Sequence, residues 1–168
     1  MRTAMCLRKL LLAKKLLEID VGRQPEPAIS PFRGTTDIPF APMGRIFISD
    51  GYANARILEY TADGKKVREW GSAGTGPGQF HLPHSIEADE SNLLFVADRE
   101  NGRIEKFDLD GKFLSEIPKL GRTYSLKLGA KGTLWAGMQP LNETPGSPGW
   151  IVKLDCKTGK ILGCVPVS

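Results

Sequence analysis

Histidine and cysteine are scarce in this chain. There are two histidines and three cysteines among 168 residues. The cysteines, Cys6, Cys156 and Cys164, are odd in number and show no CxxC spacing, which argues against a zinc ribbon and against a disulfide framework. Cys156 and Cys164 are placed either to pair across adjacent strands or to stand as two half-buried thiols. No apolar run reaches 18 residues, so no segment has the length of a membrane-spanning helix. Charge of one sign is also missing from the body. Residues 26–168 carry 17 basic and 17 acidic side chains, and the net charge of +4 arises in residues 1–25. A basic nucleic-acid face is therefore not indicated.

What the chain has in plenty is glycine, 19, and proline, 12. Together they make about 18% of the residues against a usual ~12%. Hydrophobic residues at 40% and charged residues at 25% exclude a disordered chain, a coiled coil and a collagen. The expectation is a globular fold with many turns.

Residues 1–25 read as a short helix with Leu7, Leu10, Leu11, Lys14 and Leu17 along one side. Arg8, Lys9, Lys14 and Lys15 interrupt the apolar stretch, so there is no clear signal peptide, which needs an unbroken apolar core. The proline-rich GRQPEPAISP that follows ends the helix. Residues 1–30 are thus read as helix and linker, and residues 31–168 as the body.

The body is a repeat of short alternating or apolar runs. RIFISD, RILEYT and VREWG recur as LLFVAD, RIEKFD and FLSEI, and again as TLWAG, IVKLD and ILGCV. Asp50 and Asp98 lie 48 residues apart, Asp63-Gly64 and Asp110-Gly111 47 apart, and Gly111 and Gly159 48 apart. Each glycine precedes lysine in a tight turn, where glycine takes positive φ without steric cost. A first strand is expected before each set, at Thr36–Pro42, His84–Asp89 and Tyr124–Gly129, although Pro39 conflicts with a ladder position. Three four-stranded antiparallel units of this period match β-propeller blades, at about 35–71, 84–117 and 123–166. The fold class is all-β. Closed propellers typically have four to eight blades, so three form an incomplete ring with apolar faces open to self-association.

In such blades the loop entering the first strand and the turn between second and third strands share one face. Tyr52, His84 and Arg99 converge there, and each breaks the repeat at its position. A phenol, an imidazole and a guanidinium together suit proton transfer, metal ligation and carboxylate binding. Asp50 and Asp98 are read instead as turn caps paired with Arg56 and Arg103. His81, three residues before His84, is not favoured as a second ligand, because Pro83 keeps HLPH extended. GSAGTGPGQF precedes a strand rather than a helix, so it is an inter-blade loop and not a dinucleotide fingerprint. Gln139–Gly149 is a long Pro/Gly-rich insertion on the Tyr52 face, either a lid or a plain loop.

GPGQFHLPHSIEAD, LLFVADRENGRIEKFD and the DG turn resemble NHL-type repeats. ISDGYANARILEY, GQFHLPHS and VADRENGRI, in that order over residues 33–118, resemble the catalytic domain of the peptidylamidoglycolate lyases. That resemblance implies a six-bladed propeller acting as a carbon–nitrogen lyase, which cleaves peptidyl-α-hydroxyglycine to a peptide amide and glyoxylate. It implies zinc held by three histidines, with His84 matching one, Tyr52 matching a catalytic tyrosine and Arg99 a substrate-binding arginine. The other two histidines would lie two blades away on either side, outside this chain, so the fragment alone is expected to be inactive. A structural calcium and a secreted setting are also common in the family. The alternative is an NHL scaffold presenting its loop face to a protein or small ligand.

Overall fold

Eleven strands fold as three antiparallel sheets in the computed structural model, which describes residues 17–22, 34–52, 54–142, 144 and 147–167. The first sheet is β1 (Ile46–Asp50), β2 (Arg56–Tyr60) and β3 (Lys66–Trp70). The second is β4 (Pro83–Ala88), β5 (Leu93–Asp98), β6 (Arg103–Asp108) and β7 (Phe113–Ile117). The third is β8 (Arg122–Gly129), β9 (Thr133–Gln139), β10 (Gly149–Asp155) and β11 (Ile161–Val167). Each is a meander of neighbouring strands, as the repeat predicts.

The first blade departs from expectation. Thr36–Pro42 is not a strand; its ladder pairing with β1 is reduced to single bridges, Asp37 to Ser49 and Phe40 to Ile46. Pro39 lies between them. It cannot donate to the ladder, and only its carbonyl takes part, accepting from the Phe47 N–H at 3.2 Å. The expected N-terminal helix falls mostly on residues 1–16, outside the described residues. No α-helix occurs among the described residues, and 17–22 have no regular structure. Instead Ile19 and Val21 pack on Ile46, Ile48, Leu58 and Tyr60, covering the outward face of the first blade.

Two seams hold the blades together. Between blades 1 and 2, Phe47, Ile57, Phe80, Leu94, Val96 and Phe107 are buried in one cluster. Phe107 is its hub: it is 0% exposed and its ring lies 5.9–6.1 Å from those of Phe80, Trp70 and Phe113. Between blades 2 and 3, Phe95, Ile104, Leu126, Leu134, Val152 and Leu154 form the second. Cations latch the outer turns across each seam. Arg45 Nη2 donates to Leu109 O at 2.6 Å, and Lys106 Nζ donates to Cys156 O at 2.8 Å. Gly111, at φ 82°, lies against Trp70 of the preceding blade, where a Cβ would come within 3.0 Å of the indole and the left-handed backbone disfavours a side chain.

Asp98 and Arg103 pair as the sequence suggests, at 2.9 Å. Arg103 also donates to the carbonyls of Thr75, Gly76 and Gln79, pinning the glycine-rich loop between β3 and β4. Arg56 repeats the arrangement in the first blade, pairing with Asp50 at 2.9 Å and donating to Val21 O at 3.0 Å. Cys156 is buried and Cys164 exposed, and both are free thiols. Cys164 stands opposite Val152 rather than Cys156, so the cross-strand pairing does not occur.

Two predictions follow from these seams. Phe107→Ala should destabilise the fold by about 3–5 kcal/mol, read as a lower urea midpoint. Glu105 is 0% exposed. Burial pushes its carboxyl up to about 7, against the opposing pull of Arg103 and the Gly78 N–H. Its contribution to stability is therefore full below the usual carboxyl range and fades as pH rises towards 7. Glu105→Gln removes that dependence, so its melting temperature relative to the unsubstituted chain should rise between pH 5 and pH 8. An unchanged difference would contradict the assignment.

Candidate functional site

The inner rim is tied from one blade to the next. Thr36 Oγ1 donates to Pro83 O at 2.7 Å, Ser85 Oγ donates to Asp37 Oδ2 at 2.6 Å, and the Leu126 N–H donates to Ser85 Oγ at 3.0 Å. Just above this line, both complete blades carry an irregularity at the same place. The ladder shifts between Pro83 and Ser85 and again between Thr123 and Ser125, leaving His84 and Tyr124 as the extra residues. A β-bulge bends a strand and re-aims one side chain.

Tyr52 reaches His84 from the loop after β1. Its neighbour Gly51 lies so close to the Pro83 carbonyl that a Cβ there would clash, so glycine is what lets the loop come down onto the second blade. Tyr52 Oη and His84 Nε2 are 3.1 Å apart, with the rings edge to face at 5.7 Å. His84 Nδ1 lies 2.7 Å from Tyr124 O. A carbonyl only accepts, so Nδ1 carries the proton, and Nε2 presents its lone pair to the Tyr52 hydroxyl. Burial lowers the His84 pKa, Arg99 lowers it further, and the Tyr124 carbonyl opposes both. The ring is thus held neutral.

Arg99, in the turn after β5, lies with Cζ 4.9 Å from the centre of the Tyr124 ring. Its Nη2 pairs with Glu100 Oε1 at 2.8 Å, and Arg122 Nε pairs with Glu100 Oε2 at 2.9 Å. Burial pushes the Glu100 carboxyl up, but the two guanidiniums outweigh it and hold it below its usual range. A cavity of about 420 Å³ opens beside the group, lined by Tyr52, Ala55, Phe80, Leu82 and Arg99 among others. That is within the ~300–1,000 Å³ usual for small-ligand sites.

The structure thus brings Tyr52, His84 and Arg99 together on one face, as expected from blade topology. His81 is exposed at the cavity edge, with its main-chain N–H bonded to Asp98 Oδ1 at 2.7 Å; it forms no pair with His84. In the 139–149 insertion, Leu141 packs over Gly102 in the Arg99 turn. Sequence reading missed Tyr124, Glu100 and Arg122. Tyr124 is legible as the repeat equivalent of His84, but what gives it a role is its carbonyl and a bulge, neither of which has a residue signature.

One titration checks the electrostatics. By NMR on metal-free protein, the His84 midpoint should lie below 6.5, and Arg99→Met should move it upward by removing the nearby positive charge. An unmoved midpoint would contradict the geometry.

Comparison with known proteins agrees with the architecture. A family described as "6-bladed beta-propeller" matches residues 33–125. The mouse peptidyl-glycine alpha-amidating monooxygenase is 42% identical over 109 residues, which cover 61% of this chain and 11% of that protein. A probable peptidyl-alpha-hydroxyglycine alpha-amidating lyase of Caenorhabditis elegans is 40% identical over 75 residues, 43% of this chain and 21% of the relative. The chain therefore spans only a minor part of the length of these relatives. A streptogramin B lyase structure superposes with a TM-score of 0.61 at 23% identity, over 84% of this chain and 43% of that one, a likeness of fold. The chain belongs to the six-bladed β-propeller family, and its described residues form three blades.

Proposed function

We propose that this chain carries the substrate-facing part of an amidating-lyase site, one that acts on N-acylated α-hydroxyglycine. The observation that carries the reading is the Tyr52–His84 contact at 3.1 Å with Arg99 on the same face. The amidating-lyase relatives support the reaction class.

In this reading Arg99 holds the carboxylate of the hydroxyglycine. A guanidinium has five N–H donors, and Glu100 occupies only Nε and Nη2. The Tyr52 phenol takes the proton of the carbinol hydroxyl while passing its own to neutral His84 Nε2. The carbonyl of glyoxylate forms as the C–N bond breaks, and the proton ends on the departing amide nitrogen. One amide and one glyoxylate leave, and the tyrosine–histidine pair is restored.

The resemblance also implies zinc. His84 suits a single ligand position, because an Nδ1–H bonded to a carbonyl leaves Nε2 to face a metal. Zinc sites take three or four protein ligands, and no group of three His, Cys, Asp or Glu among the described residues is placed to hold one. The described donor set does not by itself fit a zinc centre.

That partial donor set favours a second reading, a propeller scaffold that binds through the same loop face without turnover. Two assays separate them. Hippurate (N-benzoylglycine) should bind saturably by calorimetry, and Arg99→Ala should weaken it about tenfold or more. Absence of saturable binding would overturn the lyase-site reading and leave the scaffold. Glyoxylate release from α-hydroxyhippurate should stay at the uncatalysed rate with or without zinc. Zinc-dependent release that vanishes in His84→Ala would show that the chain completes a metal site after all.

A further inference from the structure

Tyr124 touches two of the three candidate functional groups, His84 and Arg99, and it does so from the third blade, which supplies none of them. Its carbonyl accepts from His84 Nδ1 at 2.7 Å. Its ring meets the His84 ring edge to face at 5.6 Å, and the Arg99 guanidinium lies 4.9 Å from the ring centre. Two bulges at equivalent places create this. Each extra residue leaves the ladder, so His84 can lean towards the third blade and Tyr124 can turn towards the second.

We propose that Tyr124 is the positioning residue of the site. Its main-chain carbonyl fixes the His84 tautomer and so directs the Nε2 lone pair at Tyr52. Its ring is the platform on which Arg99 lies, while Glu100 holds that guanidinium by one edge. An arginine fixed on both an edge and a face presents its remaining donors in one direction, which lowers the entropy lost when a carboxylate binds. The ring-platform half rests on the reading of Arg99 as a carboxylate binder. The tautomer half does not.

Two readouts on the full chain decide it. Long-range 1H–15N correlation spectra of histidine-labelled protein should show His84 as the Nδ1–H tautomer. An Nε2–H tautomer would overturn the proposal. Tyr124→Leu, which keeps bulk but loses the aromatic face, should bind hippurate about threefold to thirtyfold more weakly, while Tyr124→Phe should restore the affinity of the unsubstituted chain. Circular dichroism melts confirm that each variant is folded. Equal affinity in all three proteins would overturn the platform role while leaving the carboxylate reading intact. If the unsubstituted chain binds no hippurate, the Arg99 reading and the platform role fail together, and the tautomer alone decides whether Tyr124 positions His84. A Tyr124→Leu chain that does not fold leaves the decision to Tyr124→Phe and the tautomer, where a Phe variant with weakened binding would count against a ring platform.

Discussion

Face-to-face stacking of three antiparallel sheets is the constraint on which the rest of this chain depends. No blade holds the site alone. Tyr52 comes from the first, His84, Arg99 and Glu100 from the second, and Tyr124 and Arg122 from the third. The distances among them are set by how far apart the sheets sit, which the side chains in the seams decide. Interiors pack at crystal-like density, so a seam filled by Phe47, Phe80 and Phe107 transmits its spacing to the rim instead of absorbing an error.

Polar groups refine what the apolar seams begin. The inner rim is threaded by Thr36, Asp37 and Ser85, each bonding to the next blade. The outer turns are latched by Arg45 and Lys106. Buried charge is costly unless paired and hydrogen-bonded, and here it is spent on order. Arg103 satisfies Asp98 and three loop carbonyls at once, which fixes the segment leading into Pro83 and His84. Lys153 and Trp135 on the outward side of the third blade, 5.3 Å apart, repeat the Lys106–Phe95 contact that faces the third blade from the second. The third blade's outward face is therefore built to the same plan as the faces that are covered.

Much of this is legible in the residues, and the parts that are not share a cause. The 47- and 48-residue spacings of the Gly-Lys turns at Gly64, Gly111 and Gly159 carry the blade count, because a turn that requires positive φ leaves a residue signature. The same topology placed Tyr52, His84 and Arg99 on one face. Pro39 signalled trouble in the first strand, and there the ladder is reduced to two bridges. Tyr124 and the Glu100–Arg122 pair escaped because their roles depend on a backbone carbonyl and on contact between blades distant in sequence. Segment 17–22 escaped for a similar reason. Leu17, Ile19 and Val21 alternate at a period of two rather than a helix's 3.6, but what draws Ile19 and Val21 onto a sheet face is contact with strands distant in sequence.

If the site exists only because the blades stack, its geometry must disappear with the seams and not before. Nuclear Overhauser effects from the His84 ring to Tyr52 and Tyr124, followed through a urea titration beside those of Phe107 to Trp70, test this directly. The account predicts that all three contacts are present in the native chain and are lost with one common midpoint. Site contacts that vanish at lower urea while the Phe107 contacts persist, or that are absent from the start, would contradict it.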